Sequence, residues 1–502
     1  AKHLYGHVEG TGKGIEGCAA ADLDELTDEQ LRVVARVEEG ASIFYTGCAG
    51  TGKSFLLSKI VQRLYKLHGK KHVAVTASTG MAACNIAGCT LHSWAGVGLG
   101  SEAVEILVKK VQQSKQSRTR WLLTKVLVVD EISMVEGAFL DKLDAVAQRI
   151  LQTPAPFGGI QLVLCGDFLQ LPPVARRGQD LNFAFDARCW GKAIQENLQL
   201  TQVFRQADGP FVKLLNEIRV GQVTPEGAKA LQSRMHAAPQ SPLPPTRLLP
   251  HCRDVAAEND RRLAQLPGRR VLYEASDRGN SPALLKTLQT GCPAEASIRL
   301  AVGAQVILVR NVDAKRGLVN GRRGEVVGFV PPPVGVTQPL FSEYPVVRFS
   351  NGLEEMVVEF AFTLESGGQI GATRQQLPLR LAWAISIHKS QGLTLECVSM
   401  CLAKCFEYGH AYVALSRAVS LECLALTSFT PQCVKVHRRV LRFYGGAGPQ
   451  AGPPSCSPGQ GVSHAASRPA PSRAVCKPHT PFHQQPLPPH RSGNPNSSAW
   501  RQ

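Results

Sequence analysis

The chain has 502 residues, 44% of them hydrophobic, and a formal net charge of +17. That length holds more than one domain. No apolar run is long enough to span a bilayer, and the fifteen cysteines lack the paired C-x-x-C spacing of a disulfide scaffold or zinc ribbon, as expected of a reduced chain. The excess of base points to a polyanionic partner such as nucleic acid, and with aromatics at 6% any base stacking rests on few residues. The sequence opens on Ala1 rather than Met, the pattern of a fragment, in which any upstream targeting peptide would not be seen.

Residues 1–25 are Gly-rich and aperiodic, a loose lead-in. From Leu26 onward, apolar β-branched runs at 42–46, 73–77, 126–130 and 161–166 alternate with helical segments, the pattern of buried parallel strands in an α/β domain. Between the first run and its helix stands Gly47-Cys48-Ala49-Gly50-Thr51-Gly52-Lys53-Ser54, followed by Phe55. This is a phosphate-binding loop: glycines let backbone amides converge on phosphate oxygens, Lys53 reaches the β and γ phosphates, and the Ser54 hydroxyl can ligate Mg²⁺. It predicts binding of ATP or GTP.

Between about 96 and 120 the strand rhythm lapses into a basic, polar stretch with Lys109, Lys110, Lys115, Arg118 and Arg120, expected as a small surface insertion. The run at 126–130 ends in Asp130-Glu131, where a P-loop protein places its metal and water-handling carboxylates. Asp130 would hold Mg²⁺ and Glu131 would orient or deprotonate the attacking water. The run at 161–166 leads into Asp167-Phe168-Leu169-Gln170-Leu171-Pro172-Pro173, where the Gln170 amide can feel the γ-phosphate. A second α/β region begins near Leu200, is interrupted by the Pro-rich stretch 239–250 and resumes with the apolar run 302–309. Short runs separated by turns such as Asn320-Gly321 and Asn351-Gly352 predict a small β-barrel or sandwich at about 317–378. Beyond Gly445, five Lys and Arg and no acid stand among Pro, Gly, Ser, His and Gln, the composition of a disordered basic tail over 445–502.

Asp130-Glu131-Ile132-Ser133-Met134, then Gly166-Asp167-Phe168-Leu169-Gln170, Ile387-His388-Lys389-Ser390-Gln391-Gly392 and Tyr412-Val413-Ala414-Leu415-Ser416-Arg417 occur in the order of superfamily-one helicase motifs. With Asp141-Lys142-Leu143-Asp144-Ala145-Val146-Ala147 and Pro156-Phe157-Gly158-Gly159-Ile160-Gln161 between the second and third, the sequence resembles the Pif (petite integration frequency) DNA helicases rather than the related RecD enzymes. The resemblance runs from about Leu26 to Tyr444. It implies two RecA-like P-loop domains with parallel sheets, at 26–202 and 203–444, with an SH3-like β insertion in the second, a strand-separating element near 96–120, ATP and Mg²⁺ in the cleft, and single-stranded DNA across both domains.

Matched residue by residue, Gln30 falls at the adenine-reading glutamine, and Arg205 and Arg417 at the two arginines that reach the γ-phosphate. Ser78, Thr79 and His92 match strand-binding motifs of the first domain, and His388 and Ser390 those of the second. The implied activity is 5′-to-3′ translocation by a monomer that unwinds duplex DNA, RNA–DNA hybrids and G-quadruplexes, in nuclear and mitochondrial genome maintenance. Telomerase and replication or repair proteins are the implied partners, with no membrane role. The proline-rich loop at 331–339 and the tail depart from the family pattern. A rival reading is a P-loop ATPase that binds DNA without unwinding it.

Overall fold

The computed structural model describes residues 25–174, 180–279, 282–332, 338–366, 369–445 and 457–458. The first helix, α1 (Asp28–Glu38), starts where Thr27 and Gln30 form a capping box, and it buries Val33, Val34 and Val37. It leads to β1 (Ile43–Gly47), α2 (Lys53–His68), β2 (Val73–Ala77), α3 (Gly80–Asn85), β3 (Cys89–Thr90), α4 (Leu91–Ala95), α5 (Val104–Gln113), α6 (Lys115–Leu123), β4 (Val126–Asp130), α7 (Gly137–Leu151), β5 (Gln161–Cys165), α8 (Trp190–Ala193) and β6 (Glu196–Leu200). The strands pair in parallel in the order β3-β2-β4-β5-β1-β6. Successive side chains of β1 take opposite faces: Ile43 and Tyr45 pack with Leu56 and Ile60 of α2, and Phe44 with the cluster that holds Leu140 and Leu143 of α7. With both faces covered, the strands read as unbroken apolar runs. Because they are parallel, the segments after β1, β4 and β5, which are neighbours, leave from one edge of the sheet.

The basic stretch expected as a surface insertion is the pair α5 and α6, and it is part of the core. Val104, Leu107, Val108 and Val111 fall at helical spacing, and Leu107, Val108, Val111 and Trp121 are buried. The Trp121 ring lies 4.4 Å from that of Trp94, and its indole N–H donates to the Ala95 carbonyl at 2.9 Å. Lys109, Lys115 and Arg118 stay exposed, so the basic composition concealed a buried stripe.

The chain continues through β7 (Gln202–Val203), α9 (Gly209–Arg219), α10 (Pro225–Gln232), β8 (Thr246–Leu249), α11 (Cys252–Gln265), β9 (Val271–Glu274), β10 (Ser276–Gly279), α12 (Pro282–Gly291), β11 (Ser297–Leu300), β12 (Gln305–Leu308), β13 (Arg323–Val330), β14 (Tyr344–Phe349), β15 (Glu354–Met356), β16 (Phe360–Ser366), β17 (Gln369–Gln376), β18 (Leu379–Leu381), β19 (Ala384–Ser386), β20 (Val398–Cys401), α13 (His410–Leu415), β21 (Leu424–Ser428) and α14 (Arg438–Gly445). A second parallel sheet has the order β19-β8-β20-β21. Between its first two strands in sequence, β8 and β19, the chain makes antiparallel sheets instead: β15-β14-β13-β12-β18, β10-β17-β16 and β11-β9.

This corrects two sequence expectations. The run 302–309 does not resume the second parallel sheet; its strand β12 lies inside the five-stranded antiparallel one, flanked by β13 and β18. An apolar run buried on both sides looks the same in either setting. The antiparallel part also reaches from Val271 to Leu381, wider than 317–378. Of the expected lead-in, proline-rich loop and tail, residues 1–24, 333–337, 446–456 and 459–502 lie outside the described residues. Within the tail, Ser457–Pro458 pairs in parallel with β7. No described helix is long and apolar enough to cross a membrane.

Candidate nucleotide and strand site

The loop after β1 turns through two left-handed glycines, Gly50 at φ 93° and Gly52 at φ 77°, into the N-terminus of α2. A Cβ on Gly50 would stand 2.7 Å from Cβ of Arg205, and one on Gly52 would stand 3.0 Å from Nε2 of Gln30. The loop is thus seated against both residues. Gln30 is buried, its Oε1 accepting from Thr27 N at 3.2 Å and its Nε2 donating to Thr51 O at 3.5 Å. Lys53 Nζ donates to the carbonyls of Gly47 at 2.7 Å and Cys48 at 3.1 Å, which fixes the ammonium over the loop. Thr51 Oγ1 donates to Cys48 O at 3.0 Å. The Ala49 amide donates to the Tyr412 hydroxyl at 2.8 Å, so a residue of α13 reaches across to the loop. Phe55 is 41% exposed beside the loop, and Ser54 lines a cavity of about 530 Å³ together with Asp130 and Glu131.

At the end of β4, Asp130 is buried and its Oδ1 accepts the Glu131 amide at 2.9 Å. Glu131 has a left-handed backbone, φ 51° and ψ 46°, a conformation that costs a non-glycine residue about 1 kcal/mol or more and is concentrated at functional positions. Burial pushes the Asp130 carboxyl up. Burial and then Asp130 push Glu131 up to about 8, with Lys53 and Arg417 pulling the other way. A buried and a half-buried carboxylate that feel each other, beside a hydroxyl on the same cavity wall, form a donor set of oxygens that fits a hard divalent cation, whose charge would bring both pKa values down. Ser54 and Asp130 are the residues that would hold Mg²⁺.

After β5, Asp167 is fully buried, and Arg219 with its neighbours more than offsets the burial that raises it, so its carboxyl is held below the usual range. Gln170, 5% exposed, donates from Nε2 to Asp167 Oδ2 at 3.2 Å. On the opposing side, Arg205 donates to Thr394 Oγ1 at 2.9 Å and to Ser416 O at 3.2 Å. Arg417 donates to Val413 O at 2.8 Å, Ser416 Oγ at 2.8 Å, Leu393 O at 3.2 Å and Ser390 O at 3.3 Å. Burial lowers both guanidinium pKa values, and Arg205 lowers that of Arg417 further. Two cations held this closely fit a polyanion between them.

The same cavity extends to Thr79, Gly80 and His388. Here the expected strand residues are differently disposed. The Thr79 hydroxyl caps α3 by accepting from Ala82 N at 3.2 Å, while Ser78 Oγ is buried with no protein partner. His92 stacks on Phe139 at 4.1 Å, and His388 sits edge-on to His410 at 5.1 Å. Ser390 was expected to touch the strand, but it is buried, its hydroxyl donating to Ile387 O at 2.8 Å and its carbonyl accepting from Arg417. It offers a strand no hydroxyl and supports Arg417 instead.

Sequence reasoning missed several residues at this site. Tyr412 holds the phosphate-binding loop. Gln206, fully buried, donates to Ser416 O at 3.2 Å and Ala418 O at 2.9 Å and so fixes the segment on both sides of Arg417. Arg219 pairs with Asp167, and Tyr444 touches Thr46, Asp167 and Phe168. One signal was available: Arg219 falls four residues after Leu215 on the apolar stripe of α9, and a charge there calls for a buried partner.

Comparison with known proteins gives a concordant answer. Residues 25–228 match the PIF1-like helicase family and residues 283–329 match the 2B domain of DNA helicase Pif1. The chain is 47% identical over 421 residues to an ATP-dependent DNA helicase PIF1 of Danio rerio, covering 84% of this chain and 64% of that protein, so it spans less than two thirds of that relative's length. It resembles the crystal structure of Pif1 helicase from Candida albicans with a TM-score of 0.67 and 42% identity, over 84% of this chain and 98% of that one. It also resembles a crystal structure of Pif1 helicase from Bacteroides in complex with ADP-AlF3 and ssDNA, with a TM-score of 0.55 and 28% identity, over 83% and 96% of the two chains. With its motifs in family order on two parallel sheets and these likenesses across most of its length, the chain belongs to the PIF1-like helicase family.

Proposed function

We propose that this chain is the motor core of an ATP-dependent DNA helicase that moves 5′ to 3′ along single-stranded DNA and unwinds duplexes, RNA–DNA hybrids and G-quadruplexes, in genome, telomere and mitochondrial DNA maintenance. The observation that carries the reading is the cleft itself: Glu131, whose carboxyl feels Asp130, Lys53 and Arg417, lines with Ser54 and Asp130 a cavity that runs on to His388, and Arg205 stands close enough to Arg417 to lower its pKa. A kinase would have no use for a second sheet bearing arginines. The ATP-dependent DNA helicase activity for which the Danio rerio relative is named, and the ADP-AlF3 and ssDNA held by the Bacteroides protein, support the same reading.

ATP with Mg²⁺, when bound, supplies the γ-phosphoryl group and the charge that offsets its transfer. Gln30 would read the adenine beside the loop from Gly47 to Phe55. Lys53 exchanges loop carbonyls for phosphate oxygens, Ser54 and Asp130 would hold Mg²⁺, and Glu131 orients or deprotonates the attacking water. Arg205 and Arg417 neutralise the charge that develops, and Gln170 orients at the γ-phosphate. Because the arginines and Tyr412 belong to the opposite side of the cleft from Lys53, a change of nucleotide alters how the two sheets hold each other. Ser78, Thr79, His92 and His388 line the strand path, where backbone amides and imidazoles grip phosphate and sugar without reading bases.

The test is ATP turnover with and without a single-stranded oligonucleotide, followed by strand separation on partial duplexes with a 5′ or a 3′ overhang. Strand-stimulated turnover with unwinding from the 5′ overhang is expected. Turnover without unwinding of either substrate would select the non-unwinding DNA-binding ATPase.

A further inference from the structure

The buried carboxylate of Asp167 is held from elements far apart in the chain. Its Oδ1 accepts from the Leu169 amide at 3.1 Å, Arg219 Nη2 at 3.0 Å and the Tyr444 hydroxyl at 3.4 Å. Its Oδ2 accepts from Arg219 Nε at 3.3 Å and Gln170 Nε2 at 3.2 Å. Arg219 is the last residue of α9, which packs against α13, and it is 1% exposed. Its guanidinium also lies 5.7 Å from the ring centre of Tyr444. The Tyr444 hydroxyl, on α14, accepts the Phe168 amide at 3.1 Å and lies 2.9 Å from Oγ1 of Thr46, the residue before the phosphate-binding loop.

A buried ion pair is weak as a stabilising device, since taking both charges out of water offsets most of the attraction. This one instead fixes orientation. With Nε2 of Gln170 tied to a carboxylate that Arg219 grips by both oxygens, the Gln170 carbonyl points in a set direction, and the segment 168–170 is tied to the end of β1 through one hydroxyl. We propose that Arg219 and Tyr444 are positioning residues for Gln170, holding its amide through Asp167 and so linking the γ-phosphate contact to α9 and α14. This rests on the reading of the cleft as a site of ATP hydrolysis.

Tyr444→Phe in the full chain keeps the ring under Arg219 and removes only the hydroxyl. At saturating single-stranded oligonucleotide, kcat for ATP is expected to fall roughly three- to ten-fold, the scale of one lost hydrogen bond, with KM for ATP changed by less than about twofold. In a Gln170→Ala background the same substitution should lower kcat no further, because the group it positions is gone. Arg219→Lys, which keeps the cation and loses the fork, should show the same dependence on Gln170. If that variant does not fold, Tyr444→Phe decides alone. An unchanged kcat in Tyr444→Phe, or an equal loss with and without Gln170, overturns the proposal while wild-type turnover leaves the reading of the cleft standing. A wild-type chain that hydrolyses no ATP overturns both.

Discussion

The nucleotide and strand ends of the site are built by opposite rules. At the nucleotide end, charged groups are buried or half-buried and each is committed to named partners: Asp167 to Arg219, Arg417 to three carbonyls and a hydroxyl, Lys53 to two loop carbonyls. At the strand end, the hydroxyls of Thr79 and Thr90 cap short helices, Ser390 is turned inward, and the imidazoles of His92 and His388 rest on other rings. Charge that must meet developing charge is worth most when it is fixed and dry. A grip that must accept any sequence and then release it needs backbone and short polar groups held in register, not strong ion pairs. The contrast predicts that single substitutions at the first end stop chemistry, whereas changes outside it only weaken hold.

The largest expected break is Lys53→Ala, because no other described side chain places a flexible ammonium over the phosphate-binding loop. Turnover with saturating oligonucleotide should fall by about a thousandfold, while strand binding largely survives. A variant that keeps a tenth of the wild-type rate would remove Lys53 from the chemistry.

Glu131→Gln comes next, with a loss of roughly a hundred- to a thousandfold in turnover and nucleotide still bound. It also has a pH signature. The Glu131 carboxyl is raised from 4.5 to about 8 by burial and by Asp130. An acid raised on folding binds more proton folded than unfolded, so its cost is absent below about pH 4.5 and grows as pH rises towards 8. The glutamine variant escapes that cost. Its gain in thermal midpoint over wild type, without nucleotide, should therefore be larger at pH 8 than at pH 5, and an equal gain at both would show that Glu131 ionises normally.

Arg417→Ala should cost about a hundredfold in turnover with nucleotide affinity less affected. Since Arg417 also ties Val413, Ser390, Leu393 and Ser416 together, a fall in melting temperature is expected beside the kinetic loss. Arg417→Lys separates the two, retaining charge while losing most of those bonds. Full strand-stimulated turnover in Arg417→Ala would sink its place at the phosphate.

Much of the nucleotide end was legible in the sequence because its parts are contiguous. The residues from Gly47 to Ser54 follow a strand directly, and Asp130-Glu131 close another, so spacing alone carries the geometry. What joins those parts was not legible. Arg219 lies 52 residues from Asp167, and Tyr444 lies 277 from it, and only the fold brings them together. Other misreadings came from composition: the bases of α5 and α6 hid their buried stripe, and β12 is apolar enough to suit either kind of sheet. Ser390 shows a third cause, since a motif fixes a residue's place in the chain and not which way its side chain turns.

The smallest expected effect lies farthest from the cleft's logic. Residues 446–502 carry five Lys and Arg and no acid, charge that can attract phosphate without reading sequence. Removing them should weaken oligonucleotide binding and flatten its salt dependence while leaving the maximal ATPase rate nearly intact. Each phosphate neutralised on a single strand contributes about 0.7 to the log–log slope, and five cations need not all engage together, so a fall of about one to three units is the expected range. Salt titrations of oligonucleotide affinity for the full chain and for one ending at Gly445 measure it directly. Parallel lines would mean that the strand is held by the folded part alone, which would make the contrast between the two ends sharper, with the tail's charge directed at some other partner.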